Sequence, residues 1–315
     1  MTTPAARSTE TVAVVVVTYN RADLLTGLLD GLAAQTRRPD AVIVVDNAST
    51  DHTREVLEAR TDLPLHVTSS EENLGGAGGF HLGVRAAYDA GWDRVWLVDD
   101  DVVPAAGCLE ALMAVDEDCL IAVREDLSGA LVEKAAVEFD LRNPLAINPK
   151  RSTVDGTYAD RASMPDLVEV RNVAFEGFMA RRGVVEEIGF PDPSFFIFYD
   201  DAEYAVRARR AGRRIWAVRD AVLVRQLDFN QQHDLSGWKG FYMYRNLFTV
   251  HLRYGENAMV RAKPWLITAG VVALSPLRGG RAEAGNVIRA IRGARAMQRG
   301  RAGRLAESGR APTPG

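Results

Sequence analysis

Three consecutive carboxylates, Asp99, Asp100 and Asp101, follow directly on the apolar run Trp96-Leu97-Val98. Adjacent carboxylates repel one another, and hard divalent cations such as Mg²⁺ or Mn²⁺ take oxygen ligands, commonly bridging one or two carboxylates to substrate phosphates. The triplet therefore suits a cation; the competing reading is a solvated acidic turn capping a helix that starts near Pro104. A second acidic group, Asp200, Asp201 and Glu203, is delivered by the aromatic run Phe195-Phe196-Ile197-Phe198-Tyr199 to the start of a helix that ends near Gly212. Burial beside so many rings raises a carboxylate's pKa, which suits a general base, while a helix N-terminus favours the anion. Plain helix capping, with Glu203 on a solvated face, is the alternative.

The third feature is Gly75-Gly76-Ala77-Gly78-Gly79, which opens onto a helix running to about Ala90. Closely spaced glycines let backbone approach a ligand, and a helix N-terminus favours an anion; a flexible loop is the plainer reading. No Gly-Lys-Ser/Thr follows, and the spacing is not that of a dinucleotide fingerprint after the first strand. A P-loop and a nicotinamide cofactor are therefore disfavoured.

The elements that must carry these groups read as alternating strands and helices. Residues 12–17 are a β-branched run suited to a buried parallel strand, and Leu24, Leu25, Leu28, Leu29 and Leu32 mark one face of the helix that follows. Further strands are expected over 41–45, 63–68 and 94–98, with Ser49 or Thr50 capping the second helix and Asp51 in its first turn. This alternation predicts an α/β fold with a doubly wound, mostly parallel, Rossmann-like sheet, in which ligands bind beyond the carboxyl ends of the strands. Thr18-Tyr19-Asn20, Asp46-Asn47 and Asp99-Asp100-Asp101 all fall at such ends. Residues 124–170, broken by Asn143, Pro144, Pro149 and Gly156, read as an irregular excursion over the site, with order resuming over 170–180.

With 315 residues, 47% of them hydrophobic and 25% charged, the chain suits one large globular domain or a domain with an appendage, and excludes a disordered or fibrous class. The net charge of −4 hides an asymmetry: residues 256–315 hold eleven Lys and Arg against three Glu, leaving the rest at −12. Cys108 and Cys119 read as free thiols in a reducing compartment. Residues 1–11 are short and polar, no signal peptide is expected, and no apolar run approaches the roughly 20 residues that span a bilayer. The segment from Pro264 to Leu277 is short enough to lie at an interface or pack on the core. Arg278, Arg281, Arg289, Arg292, Arg295, Arg299, Arg301 and Arg304 follow it. A basic tail of this kind suits an anionic membrane surface, a solvated tail being the alternative; the acidic body argues against nucleic acid.

Taken in order, VVVTYNR at 15–21, VVDNASTD at 44–51, NLGGAGGF at 73–80, WLVDDD at 96–101 and FFIFYDDAEYAVRARRAG at 195–212 resemble the family 2 glycosyltransferases of GT-A fold. Within that family they look most like the actinobacterial galactofuranosyltransferases that start cell-wall galactan, with rhamnosyltransferases the close competitor. The resemblance implies an inverting transfer from a nucleotide-diphosphate sugar, UDP- or dTDP-linked, to a hydroxyl of a polyprenyl-linked saccharide, with Mn²⁺ or Mg²⁺ as cofactor. It implies a cytoplasmic protein, peripheral on the inner face of the membrane through its basic tail. It places Thr18, Asn20 and Arg21 near the nucleotide and Asp46 against the imide N–H of uracil or thymine, a proton that cytosine lacks. Asn73, Gly75 and Gly76 then lie along the ribose and diphosphate, Asp99 and Asp100 beside the nucleotide, and Asp99 and Asp101 on the metal. Asp201 becomes the catalytic base, and Tyr199, Asp200 and Glu203 face the acceptor, with Glu203 alternatively holding a neighbouring Arg.

One departure stands out. Relatives place a metal-binding His after the strand that follows the catalytic helix, where this chain reads Asp220-Ala221-Val222-Leu223-Val224-Arg225-Gln226. His233 is the displaced substitute, or Arg225 offers positive charge to the phosphates instead. The expected layout is a disordered segment 1–11, a GT-A domain over 12–255 divided at 101 into nucleotide and acceptor halves, a helical basic extension over 256–300 and a disordered tail over 301–315. A nucleotidylyltransferase and a non-catalytic nucleotide- or sugar-binding module are the readings of another class.

Overall fold

The computed structural model describes residues 9–227, 237–278 and 281–308. Valines with stiff β-branched side chains build β1 (Val12–Thr18), buried throughout, and β2 (Ala41–Asp46) and β4 (Arg94–Asp99) follow the same composition. β2 and β4 flank β1 in parallel, and β3 (Leu65–Ser69) adds in parallel outside β2. Successive residues of β1 face opposite sides, as pleating requires. Val12, Val14 and Val16 therefore pack with Leu25, Leu28, Leu29 and Leu32 of α1 (Ala22–Ala33), and Ala13, Val15 and Val17 with Phe80, Val84 and Ala87 of α3 (Gly75–Asp89). Each fully buried leucine contributes roughly 1.5–3 kcal/mol.

The sheet then changes direction. Antiparallel β10 (Phe178–Arg181) bridges β4 to β6 (Cys119–Glu125), and β11 (Ile215–Arg225) runs parallel to β6 and carries β5 (Val102–Pro104) and β9 (Leu167–Val170) antiparallel. Together these strands make a nine-stranded sheet, and β7 (Ala136–Phe139) pairs with β8 (Lys150–Thr153) in a separate two-stranded one. The fold is thus a mixed, mostly parallel α/β sheet covered by helices on both faces.

Several expectations change at this level. The stretch 124–170 is not irregular: it supplies β7, β8 and β9. Asp101 leads into β5 rather than a helix near Pro104, and the next helix, α4 (Cys108–Met113), starts later. Asp51, not Ser49 or Thr50, meets the start of α2 (Thr53–Ala59), accepting from the Thr53 amide at 3.1 Å. Residues 9–11 are anchored, because Glu10 bridges the buried Arg94 and Arg181 at 2.7 and 2.8 Å, and Thr11 pairs with Asp93.

The chain divides into two compact units, and the break does not fall at residue 255. The second unit takes Asp140–Pro149, Ile197–Tyr199 and α8 (Trp238–Tyr254), α9 (Ala258–Arg278) and α10 (Arg281–Ser308). Tyr244, Leu247, Phe248 and Leu252 of α8 pack with Val287, Ala290 and Ala294 of α10, joined by Ile267 and Val271 of α9. α10 continues to Ser308, so the tail expected to lose order from 301 is helical for most of its length, with only 309–315 outside the described residues.

Candidate functional site

In the first unit, the carboxyl ends of β1, β2 and β4 and the start of α3 converge, and the parallel register sets Val17 level with Val45 and with Asp99. Thr18, buried at the end of β1, donates its hydroxyl to Asp100 Oδ2 at 2.8 Å, and Arg21 Nη1 reaches Asp100 Oδ1 at 2.8 Å and Asp101 Oδ2 at 3.3 Å. The Asn20 backbone amide donates to the Ser49 hydroxyl at 3.0 Å and its side-chain oxygen accepts from the Thr50 amide at 2.7 Å, tying the β1 and β2 loops together. Asp46 accepts from the Ser49 amide at 3.0 Å. Asn73 accepts from the Gly75 amide at 2.8 Å, and Asn47 donates to the Gly75 carbonyl at 2.9 Å.

The backbone is strained where these groups meet. Among the described residues the non-glycine positions with positive φ are Asn20, Ala48, Phe196, Phe198 and Tyr199, at 52°, 65°, 64°, 68° and 64°. Two follow strand ends β1 and β2; three immediately precede α7 (Asp200–Arg210). Within the second unit, Asn246 of α8 pins the last of these bends by donating to the carbonyls of Ile197 and Phe198 at 2.7 and 2.8 Å.

The glycine run departs from expectation. It is the first turns of α3, and its glycines serve mostly close packing: a Cβ on Gly79 would meet Val17 at 2.4 Å, one on Gly83 would meet Val15 at 2.2 Å. Gly75, at φ +70°, lies under the Phe196 carbonyl, 2.2 Å from where a Cβ would stand. Gly76 alone of the run faces open space. Asp100, expected beside the nucleotide, is 3% exposed and engaged by Thr18 and Arg21, so it fixes the loop from within.

Asp99 and Asp101 are the carboxylates left over. Burial pushes the Asp99 carboxyl well above its usual range, with the charges of Glu176, Asp101 and Asp100 adding to the rise. Asp101 is raised by burial and Glu176 against the pull of Arg21, and its Oδ1 is buried without a hydrogen-bond partner. Among the described residues no three His, Cys, Asp or Glu side chains stand gathered for an ion. An orphaned carboxylate oxygen in an excess of negative charge, with hard oxygen donors only, nonetheless fits a divalent cation that takes its other ligands from phosphate and water. His233 lies outside the described residues.

The second acidic group is arranged differently. Burial, with the charges of Asp201 and Glu203 adding to it, pushes Asp200 up to about 8. Asp201 is raised by burial to about 6, held lower by the Ala202 amide, which donates to it at 2.6 Å, and by Lys150. Glu203 is 1% exposed and accepts from Arg207 at 2.9 Å, one turn on, so the structure gives it to the arginine instead of opening it to an acceptor. Tyr199 packs in the second unit beside the α8–α10 cluster.

Sequence reasoning missed Arg124, Glu133, Glu176 and Lys150, which join the two acidic groups within the first unit, and gave Arg225 to the phosphates, where the structure sets it beside Glu176. Arg124, buried in β6, makes two 2.9 Å bonds to Glu133 and a third to Glu176; Arg225 lies 3.6 Å from Glu176. Burial works against ionising Glu176, but Arg124 and Arg225 hold it below the usual range, and its charge in turn raises Asp99, Asp101 and Asp201. Lys150, lowered by burial, faces Asp201. Only charged residues inside strand-like runs, Arg124 and Arg225, signalled this network in advance.

A parallel nucleotide-type half joined to a mixed half, with acidic groups at the carboxyl edge, defines the GT-A class of fold. The family model "Glycosyl transferase family 2" matches residues 13–124. Galactofuranosyltransferase GlfT1 of Mycobacterium tuberculosis (strain H37Rv) is 33% identical over 272 residues, covering 82% of this chain and 87% of that protein. The O-antigen chain rhamnosyltransferase RfbN of Salmonella typhimurium is 25% identical over 221 residues, covering 67% of this chain and 65% of that protein. Among solved structures, mannosyltransferase PcManGT from Pyrobaculum calidifontis, in complex with GDP-Man and Mn²⁺, superposes with a TM-score of 0.54 at 20% identity, covering 91% of this chain and 87% of that one. The chain belongs to glycosyl transferase family 2 and is a glycosyltransferase. That membership removes the nucleotidylyltransferase and non-catalytic readings.

Proposed function

We propose that this glycosyltransferase moves galactofuranose, with inversion, from UDP-galactofuranose to a hydroxyl of a polyprenyl-linked saccharide, working at the inner face of the cell membrane. The observation that carries the catalytic half is the divergence of two neighbouring carboxyls, Asp200 up to about 8 and Asp201 up to about 6. At neutral pH Asp200 keeps its proton and Asp201 is ionised, near enough to neutrality to take the acceptor's hydroxyl proton and to lose it again. Lys150 orients and stabilises the ionised form, and the protonated Asp200 is left as a donor toward the acceptor.

At the other end Asp46 accepts a hydrogen bond from the uracil imide N–H, and Asn20, Asn73 and the open backbone at Gly76 line the ribose and diphosphate. Asp101, with Asp99 beside it, would hold Mn²⁺ or Mg²⁺, whose charge offsets the negative charge growing on the departing diphosphate. Arg21, anchored on Asp100, adds a fixed positive group beside it. The sugar assignment is supported by the similarity to the galactofuranosyltransferase at 33% identity. Similarity to a rhamnosyltransferase at 25% favours dTDP-rhamnose as the second reading.

Calorimetric titration with UDP, dTDP and GDP, each with Mn²⁺ and with EDTA, tests the donor. Metal-dependent binding of UDP is expected, followed by turnover of UDP-galactofuranose on a lipid-linked acceptor. Preference for dTDP moves the assignment to rhamnose, and binding of none of the three removes it.

A further inference from the structure

Among the described residues no helix is long and apolar enough to cross a membrane. The second unit nevertheless carries an outward apolar face along α9, where Met259, Trp265, Leu266, Val272 and Leu274 are 64, 46, 67, 38 and 48% exposed. Ala262, Ala269, Gly270, Ala273 and Pro276 between them are exposed too, so the face continues for about five turns. A helix this long normally turns its polar side to water. Here the inward side, Ile267 and Val271, joins the α8–α10 cluster, and the outward side is apolar as well. The charges on α9 do not relieve this: Lys263 is 2% exposed and donates to the Ala146 carbonyl at 2.6 Å, leaving Arg261 in the first turn and Arg278 as the last residue.

α10, packed on α8 in the same unit, is the complement. Its exposed positions include Arg281, Arg289, Arg292, Arg295 and Arg299, with Ile288 among them. Between 258 and 300 the one acidic residue is Glu283, and its carboxylate accepts from the Tyr244 hydroxyl at 2.6 Å. An apolar helix face in the same unit as an arginine-rich one fits a single environment, the boundary between acyl chains and anionic headgroups.

We propose that α9 is an interfacial anchor that lies in the surface of an anionic bilayer, its Trp265–Leu266 face toward the acyl chains and the α10 arginines on the headgroups. This refines the peripheral-membrane reading above, giving the interfacial contact of the segment from Pro264 to Leu277 to the outward face of a folded helix, and it is independent of the donor. A second copy of the chain is the poorer occupant, because pairing two α9 faces brings two arginine-rich helices into one assembly.

The test is flotation of the full chain with vesicles of phosphatidylcholine alone and of phosphatidylcholine with phosphatidylglycerol. Wild type is expected to float with the anionic vesicles and to weaken with salt. Leu266→Glu, and Ala269→Glu at a second point of the face, should each weaken partitioning at least tenfold with unchanged thermal midpoints, and each α10 arginine changed to Gln should weaken it about fivefold. UDP titration of the same samples keeps the two questions apart: flotation without UDP binding would sink the donor assignment and leave the anchor standing. Absence of flotation, indifference to both glutamates, or a concentration-dependent dimer that Leu266→Glu breaks without any vesicle binding would each overturn the anchor.

Discussion

Asp99, Asp100 and Asp101 crowd the end of a strand around one guanidinium, whereas Asp200 and Asp201 open a helix, where the Ala202 amide donates to Asp201 at 2.6 Å. In the first cluster Arg21 and Thr18 satisfy Asp100 and leave Asp101 Oδ1 buried without a partner. In the second, burial separates two adjacent carboxyls into a protonated and an ionised member. Similar residues thus suit different tasks: unrelieved crowding suits holding a cation, and divergence suits moving a proton. Glu176 belongs to neither cluster and acts on both, since its ionised charge raises Asp99, Asp101 and Asp201.

The largest expected effect comes from Asp201→Asn, which should lower kcat about a thousandfold while leaving metal-dependent UDP binding intact. The same loss on Asp99→Asn, with binding equally intact, would erase the distinction between the clusters. Glu176→Gln leaves Arg124 and Arg225 short of a buried counter-charge and should cost roughly 3 kcal/mol in urea unfolding. It should also move the acid limb of the rate profile to lower pH, because a charge that raises Asp201 is gone.

The glycines beside the first cluster give a smaller, two-signed effect. Gly79→Ala should destabilise by about 1–3 kcal/mol against Val17, and Gly76→Ala, with nothing in its way, should stabilise by about 0.5 kcal/mol while weakening UDP binding. If Gly76→Ala leaves nucleotide affinity unchanged, the diphosphate does not pass there.

The remaining effect is on stability against pH. Asp201 folds with its pKa raised from 3.8 to about 6, so between those values the folded chain holds a proton that the unfolded chain has lost. Its contribution is complete below pH 4 and fades as pH rises through 6. Asp201→Asn should therefore gain about 3 kcal/mol over wild type at pH 7.5 and little at pH 4. Over the same range wild-type kcat should rise with pH and level off above about 6.5, and a flat profile would remove Asp201 as the base.

The parallel half was legible because period and composition act locally. Val12–Val17, Ala41–Val45 and Arg94–Val98 are each long enough and β-branched enough to be strands on their own account, and the polar residues after them had to lie at one sheet edge. The mixed half was not legible in this way. β7, β8 and β9 are four residues each and owe their strand form to partners far along the chain, as when β9 pairs with β11. The packing role of the glycine run was hidden for a related reason: its spacing matches both a ligand loop and a helix packed tightly on a strand, and only the proximity of Val15 and Val17 shows the second.

What the amino-acid order determined by itself is the chemistry in store: two acidic groups, the strand ends that carry the first, a helix start that carries the second, and a basic tail after an apolar segment. These follow from residue type and short-range spacing. Tertiary structure decided which carboxylate is ionised, which is engaged, and that Arg124, Glu176 and Arg225 connect them. Those outcomes depend on burial and on charges distant in sequence, because desolvation and Coulomb energy are set by what surrounds a group in space.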